Sequence, residues 1–398
     1  MMPKYTAVLL RYGEIAIKSN QTRRRMVRLL VKHIKAALKE KKISYHKVII
    51  EYGRVFIETD AAHEVADATS QIFGIVSTSP VVVIPAELDQ ILDVGQAIAK
   101  AEFKKGLTFA VGGRRMGTHD FSSQDMRVKL GERIYEGLPE LEPKVDLKNP
   151  QQSIYVEVRN EKAYIFTQTI KGVGGMPTGS QGKVVCTISS GLDSPIAAYK
   201  VMKRGCIPIF VHFDNSPYSD ETNRNLAVKQ AEHLSKYIYN YEVKMYVVPH
   251  GDDLTEVLAH APRKMTCIFC RRNMYRLARE VALVENADAI ITGEIIGEQA
   301  SQTTRNLLAE NSAICDIPIL RPCIGDDKND IEWMAQKIGT YQFAHESVAC
   351  CTLPPKYPTV HADLKVIPEA EAKMDMDWIK AEFHQSEILI LREGDSTG

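Results

Sequence analysis

The sequence predicts an α/β protein, with a doubly covered parallel sheet in its second half behind smaller units of mixed α and β structure. Three observations carry that reading. From Lys183 onward strands and helices alternate, the rhythm of a parallel sheet with helices on both faces. The turn after the first of those strands, SSGLDS at 189–194, is polar, contains glycine and opens a helix, as a phosphate cradle does. Ahead of it, KGVGGMPTGSQG at 171–182 holds five glycines and a proline in twelve residues and reads as a linker.

In chain order, YTAVLLRYG reads as a strand, residues 20–40 as an amphipathic helix and KVIIEYGRVFIET as a hairpin turning at Tyr52-Gly53, which together make an N-terminal unit over 1–60. A second segment, 61–170, alternates a helix near 62–71, the strand VSTSPVVVI, a helix near 87–102, the strand LTFAVGG, a helix near 123–137 and the paired strands SIYVEVRN and KAYIFTQTI. In the third domain, 183–398, VVCTIS leads to a helix from Ser194, PIFVHF to one from about 220 and KMYVVP to one from about 252; ADAIITGE and IPILRP follow. Ligands of such sheets sit beyond the C-terminal strand ends, which selects the turns 189–194, 212–218 and 293–303.

Composition narrows the class. With 398 residues, 44% of them hydrophobic, the chain holds two or three domains with real cores. It has no apolar run of bilayer length, and its N-terminus lacks the layout of a signal peptide, so a membrane partner is excluded and a cytoplasmic location is expected. Eight cysteines without a disulfide-framework spacing fit a reducing compartment.

The formal net charge of zero hides an asymmetry. Residues 1–50 carry thirteen Lys or Arg against Glu14 and Glu40, and the remainder is acidic by the same margin. Arg23, Arg24, Arg25, Arg28 and Lys32, with Arg11 in the preceding strand, therefore point to an anionic partner, although a solvated helix face would show the same pattern. Guanidinium forks and point charges suit a nucleic-acid backbone better than base edges, so shape rather than sequence is the expected readout.

In the cradle, Ser189 and Ser190 offer hydroxyls and N–H groups, Gly191 lets an anion approach the main chain, and the helix beginning at Asp193 and Ser194 aims its positive end at it. It is neither a Walker loop nor a dinucleotide fingerprint. Thr187, Ile188, His212, Phe213, Arg271 or Arg272, Gly293 and Gln302 stand at or near strand ends where a nucleotide would lie. Cys267 and Cys270, in MTCIFC, form a C-x-x-C pair opening a helix, where two sulfurs reach one metal or each other. Two ligands do not complete a site; Cys350 or Cys351 is the best third thiolate by type. A persulfide relay through Cys350 or Cys351 is the competing use of the same residues. Cys186, Cys206, Cys315 and Cys323 read as structural.

SSGLDS resembles the SGGxDS pyrophosphate loop of the adenine-nucleotide α-hydrolase superfamily, with Ser190 in place of its first glycine. With RYGEIAIKS, GGMPTGSQGK, HFDNSPY, TGEIIGEQASQTTRNL and ILRPCIGDDKNDIEWMAQKIGT added, nearly the whole chain resembles the tRNA 4-thiouridine synthetase family. The resemblance implies a ferredoxin-like unit and a THUMP RNA-binding domain ahead of the pyrophosphate-loop domain. It also implies ATP with Mg²⁺ as cofactors, adenylation of the C4 oxygen of uridine 8 in tRNA, and replacement of that oxygen by sulfur. Asp193 would hold Mg²⁺ or orient pyrophosphate, Lys328 matches the family's second catalytic position, and the cysteine pair implies an iron–sulfur cluster. Family members with a rhodanese domain carry it after the synthetase domain, and this chain ends at Gly398 without room for one, so an external donor is expected: a cysteine desulfurase, a persulfide carrier or sulfide. A homodimer is compatible with all of this. Two other classes use the same residues: an ATP-pyrophosphatase acting on a small molecule, which the basic N-terminus opposes, and an RNA-binding protein with an inactive nucleotide domain, which Asp193 and Lys328 oppose.

Overall fold

The computed structural model describes residues 3–344 and 351–391. The chain divides into two compact units, one up to Met176 and one from Pro177.

In the first unit, β1 (Ala7–Tyr12), α1 (Asn20–Glu40), β2 (Lys47–Glu51), β3 (Arg54–Glu58), α2 (Ala62–Ser70) and β4 (Ile75–Pro85) form a βαββαβ motif. They are followed by α3 (Leu88–Glu102), β5 (Thr108–Met116), α4 (Ser123–Gly137), β6 (Lys144–Val145), β7 (Gln152–Arg159), β8 (Lys162–Phe166) and β9 (Ile170–Lys171). One sheet runs β2-β3-β1-β4-β8-β7-β5-β6, with β9 also on β4. β4 is long enough to serve both halves: its residues 75–81 pair with β1 and Val82–Pro85 pair with β8. The sequence placed a boundary at residue 60, but α2 and the first half of β4 complete the motif that β1 starts. Nor is 171–182 a loose linker throughout, since Gly172 and Gly174 donate to Val76 and Ile75 in the first unit while Gly179 donates to Gly205 in the second.

The sheet is strongly curled. β3 and β7 are four strand spacings apart, about 19 Å in a flat sheet, yet Arg54 Nε lies 3.0 Å from Glu157 Oε1. Phe56 stacks on Tyr164 at 4.2 Å between ring centres inside that curl, amid Ala7, Leu9, Val81 and Phe166. Glu157 is enclosed by Arg54 and Arg159, whose Nε reaches it at 2.7 Å. Burial pushes its carboxyl up, and the two guanidinium groups outweigh burial and hold it below the usual value.

In the second unit, β10 (Lys183–Thr187), α5 (Asp193–Lys203), β11 (Ile207–Asp214), α6 (Glu221–Ser235), β12 (Val243–Pro249), α7 (Gly251–His260), α8 (Thr266–Glu285), β13 (Ala289–Ile291), α9 (Thr304–Asn311) and β14 (Ile319–Leu320) build the sheet and its cover. They precede α10 (Lys328–Ile338), α11 (Tyr341–Ala344), α12 (Val366–Glu371), α13 (Trp378–His384) and β15 (Glu387–Leu391). The order is β14-β13-β10-β11-β12-β15, parallel except for β15, which caps the β12 edge. The chain proceeds outward from β10 in one direction and then resumes at β13 on its other side. Ligands of open parallel sheets bind outside the strand ends at this reversal. Val185, Ile209, Val211, Val248 and Ile290 fill the core beneath it. Among the described residues, no helix is long and apolar enough to cross a membrane.

Replacing Glu157 with Gln leaves Arg54 without its carboxylate partner and Arg159 with only Glu51, 3.6 Å away, and removing one partner of a buried pair costs about 3 to 5 kcal/mol. Urea unfolding of the variant is expected to show a loss of that size in the first unit, with the unfolding midpoint of the second unit unchanged.

Candidate active site

A cavity of about 420 Å³ opens at the strand-order reversal, within the size range of small-molecule sites. Its wall includes Thr187, Ile188, Ser189, Ser190, Asp193, Ser194, His212, Phe213, Arg271, Gly293 and Gln302, so most of the residues that sequence assigned to a nucleotide share one space. The cradle is braced from within. Ser189 N donates to Ser194 Oγ at 2.9 Å, Ser190 Oγ donates to Asn223 Oδ1 at 2.7 Å, and Gln230 Nε2, fully buried, donates to the carbonyls of Ser189 and Gly191 at 3.1 and 3.0 Å. Gly191 sits in this loop and is not on the cavity wall. Loop and reversal point are pressed together at Gly293, where a Cβ would stand 2.7 Å from Ser194 N. Only glycine allows that approach.

Asp193 and Lys328, assigned separate roles from the sequence, are brought into contact. Lys328 Nζ lies 2.9 Å from Asp193 Oδ1 and 2.5 Å from Glu298 Oε1. Burial raises the Asp193 carboxyl above its usual value against the pull of Lys328. Burial also lowers the His212 imidazole, whose Nδ1 contacts the Ile188 carbonyl at 3.1 Å; the ring is therefore neutral near pH 7, with Nδ1–H donating.

The two candidate arginines have different fates. Arg271 reaches the cavity and is fixed by Glu294 at 2.5 Å. Arg272 turns away: it is 3% exposed, forks onto Glu371 at 2.9 and 3.0 Å and donates to Ser312 Oγ at 2.6 Å. It holds α8 to α9 and α12 and is withdrawn as a nucleotide contact. The anchor of Arg271 belongs to a network that sequence inspection missed, in which Tyr275 donates to Glu294 at 2.8 Å, Arg321 approaches Glu294 at 3.4 Å, and Glu310 packs beside them. Glu294 lies in the TGE turn after β13, where a buried carboxylate at a strand end is the only trace. Burial pushes the Glu294 carboxyl up, and Arg271 and Arg321 bring it below the usual value; burial raises Glu310 to about 8.

Cys267, Cys270 and Cys351 also line this cavity, while Cys350 lies outside the described residues. Cys267 and Cys270 lie in the first five residues of α8, three residues apart and so on one helix face. Cys270 Sγ is 3.5 Å from His250 Nε2. Burial alone would lower the His250 imidazole; Asp253 and Cys270 outweigh it and hold it well above the ordinary value. Of the cysteines read as structural, Cys186 and Cys323 are buried, Cys206 is half-buried, and Cys315 is exposed.

In the first unit, Arg24, Arg25, Arg28 and Lys32 are exposed along α1. Arg23 is more engaged, with its guanidinium 4.7 Å from the Tyr52 ring centre. Arg11 is not part of this stripe. It lies in the sheet, 3.0 Å from Ser79 Oγ and 4.9 Å from the Phe166 ring centre, and burial lowers its guanidinium to about 10, still charged at neutral pH.

A serine-glycine cradle at the reversal of a parallel sheet, with an aspartate–lysine pair at its mouth, defines a nucleotide-binding domain of the pyrophosphate-loop class. Residues 7–79 match the ThiI ferredoxin-like domain, 85–168 the THUMP domain and 179–376 the family described as thiamine biosynthesis protein (ThiI). The chain is 39% identical over 372 residues to a probable tRNA sulfurtransferase of Methanosarcina mazei, covering 93% of this chain and 91% of that one. It is 38% identical over 402 residues to a probable tRNA sulfurtransferase of Methanothermobacter thermautotrophicus, covering 100% and 99%. Among solved structures it is similar to a 4-thiouridine synthetase in complex with RNA and bound ATP (TM-score 0.87, 27% identity, 98% of this chain and 100% of that chain). It is also similar to PH1313 from Pyrococcus horikoshii (TM-score 0.65, 26% identity, 84% and 99%). The protein belongs to the ThiI family of tRNA sulfurtransferases.

Glu310 makes the stability of this network pH-dependent. Its folded value, about 8, lies above the ordinary glutamate value of 4.5, so the stability contributed by its neutral carboxyl is complete below 4.5 and lost as pH rises through about 8. Glu310→Gln is expected to match the wild type near pH 4.5 and to exceed it near pH 9, as read from urea midpoints across that range.

Proposed function

We propose that the protein is an ATP-dependent tRNA sulfurtransferase that converts uridine 8 of tRNA to 4-thiouridine. The observation that carries the reading is that one cavity holds both a pyrophosphate cradle and three cysteine sulfurs, the two halves of an activation-and-substitution reaction. The similarity to proteins named tRNA sulfurtransferase and to an ATP- and RNA-bound 4-thiouridine synthetase supports it.

The cradle at Ser189–Ser194 would bind the β- and γ-phosphates through main-chain N–H groups and the positive end of α5. The C4 oxygen of the uracil attacks the α-phosphorus of ATP; an O–P bond forms, the α–β bridging bond breaks and pyrophosphate leaves. Lys328 neutralises charge that develops on the phosphates, and its pairing with Asp193 and Glu298 keeps it aimed at the mouth of the cradle. The same two carboxylates are suited to the Mg²⁺ that accompanies ATP. Arg271, held from behind by Glu294, presents its charge to the cavity for AMP or the adenylated base. A sulfur nucleophile then displaces AMP at C4.

Cys267, Cys270 and Cys351 line the same cavity and suit an iron–sulfur cluster by donor type. When bound there the cluster would supply an iron site for inorganic sulfur from an external donor. A persulfide on Cys350 or Cys351 is the other use of these thiols. The exposed α1 stripe is the proposed contact to the tRNA backbone, and the setting of the reaction is the cytoplasm.

Anaerobic incubation with tRNA, ATP and sulfide, followed by mass analysis of the nucleosides, is expected to give 4-thiouridine with AMP and pyrophosphate, and no turnover of ATP without tRNA. Turnover of ATP that ignores tRNA would point instead to a small-molecule ligase, and binding of tRNA without turnover to an RNA-binding protein. Lys328→Ala should lower the rate on the order of 100-fold while sparing tRNA affinity. Reversing Arg24, Arg25 and Arg28 to Glu should weaken tRNA binding and reduce its salt dependence by about one unit of slope per lost phosphate contact, with ATP affinity intact.

A further inference from the structure

Outside the nucleotide cradle, three buried side chains converge on one point. His250 follows β12, Asp253 lies on α7 and Glu382 on α13; each can offer one ligand atom, and these atoms lie within 4.8 Å of one another. His250 and Asp253 are wholly buried and Glu382 is 3% exposed. Among the described residues, His250 Nδ1, Asp253 Oδ2 and Glu382 Oε2 find no hydrogen-bond partner by geometry. Nδ1 and Oδ2 stand 2.8 Å apart as an ion pair. His250 and Asp253 pair as ions, so Glu382 Oε2 is the acceptor left over at this point among the described residues, where buried polar atoms are ordinarily paired.

The outer atoms of the same groups are used to orient them. Asp253 Oδ1 accepts from Asn273 Nδ2, Asn273 Oδ1 accepts from Arg276 at 2.6 Å, and Glu382 Oε1 accepts from Asp253 N at 3.1 Å. The backbone at His250 is fixed as well: its N donates to the Asp214 carbonyl at 2.8 Å, and a Cβ on Gly251 would stand 1.8 Å from the Ser216 carbonyl oxygen. Every donor is thus held with one ligand-type atom facing inward. One imidazole nitrogen and two carboxylate oxygens match a divalent cation of borderline hardness in charge and in type.

We propose that His250, Asp253 and Glu382 bind one divalent cation, with zinc as the best match, at a site separate from the cysteines of the cavity. An ion on Nδ1 leaves the imidazole proton on Nε2, the nitrogen that faces Cys270 Sγ at 3.5 Å. The site therefore bolts α13 to the wall of the cavity and fixes a hydrogen-bond donor behind one of its sulfurs. The metal claim stands on these residues alone and is independent of the tRNA reaction.

The test uses the full chain carrying Cys267→Ser and Cys270→Ser, which removes the thiolates that compete for the same metals. Protein expressed with added Zn²⁺ and passed over a chelating resin is expected to retain one equivalent of metal by elemental mass analysis. Adding Glu382→Gln should abolish that equivalent and lower the melting temperature. Cobalt, introduced by refolding from a chelator, should give visible bands without a thiolate charge-transfer band. A folded parent chain that holds no stoichiometric Zn²⁺, Mn²⁺ or Co²⁺ overturns the proposal, as does equal retention in the Glu382→Gln chain. Should that variant fail to fold, the metal content of the parent decides.

Discussion

At position 293 the second unit has room for a hydrogen atom and nothing larger. The backbone of the β13 turn rests against the first residues of α5, so a methyl group there would meet Ser194 N at 2.7 Å and the Asp193 carbonyl carbon at 2.9 Å. That contact closes the gap between the two strands where the sheet reverses its order, and it fixes the relation of the cradle to the turn that follows β13. Glu294, the next residue, anchors Arg271, and Glu298, four residues on, holds Lys328 opposite Asp193. Arg271, on the cavity wall, and Lys328, paired with Asp193 of that wall, are thus positioned from a single close approach of two backbones. Gln230 supports the opposite side of the same loop, so the cradle is bound on both sides before any ligand arrives.

Carboxylates and arginines stabilise the walls of this site in alternation. Glu294 is shared by Arg271, Arg321 and Tyr275, and Glu371 by Arg272 and Arg276. Such pairs repay their desolvation only where geometry is good and every lone pair is used. Their value here lies in direction: a long flexible arginine beside a cavity is useful only if something behind it removes its freedom. The first unit uses the same device inside its curled sheet, where Glu157 bridges Arg54 and Arg159.

Much of this was legible in the chain itself because the signals were local. The helix expected over 20–40 spans Asn20–Glu40, and the hairpin turn falls at Tyr52-Gly53 as the alternation of KVIIEYGRVFIET required. The cradle could be read from six consecutive residues. What could not be read were relations between distant segments. Arg271 and Arg272 are adjacent and chemically identical, and only the helix rotation, with Glu371 nearly 100 residues away on one side and Glu294 on the other, decides which one faces the cavity. The boundary at residue 60 failed for a related reason: β4 is one continuous strand that two sheet halves share, and composition does not change where its partners do. His250, Asp253 and Glu382 are scattered over more than 130 residues, with no spacing to announce them.

The central claim is that nucleotide activation and the thiols occupy one space, and it can be measured without turnover. Metal-free, reduced protein is treated with a small alkylating reagent in the presence and absence of a non-hydrolysable ATP analogue, and each cysteine is followed by peptide mass analysis. Cys267, Cys270 and Cys351 are predicted to be protected by the nucleotide, while exposed Cys315, away from the cavity, reacts at an unchanged rate. Equal alkylation of the three cavity cysteines with and without saturating nucleotide would contradict the account.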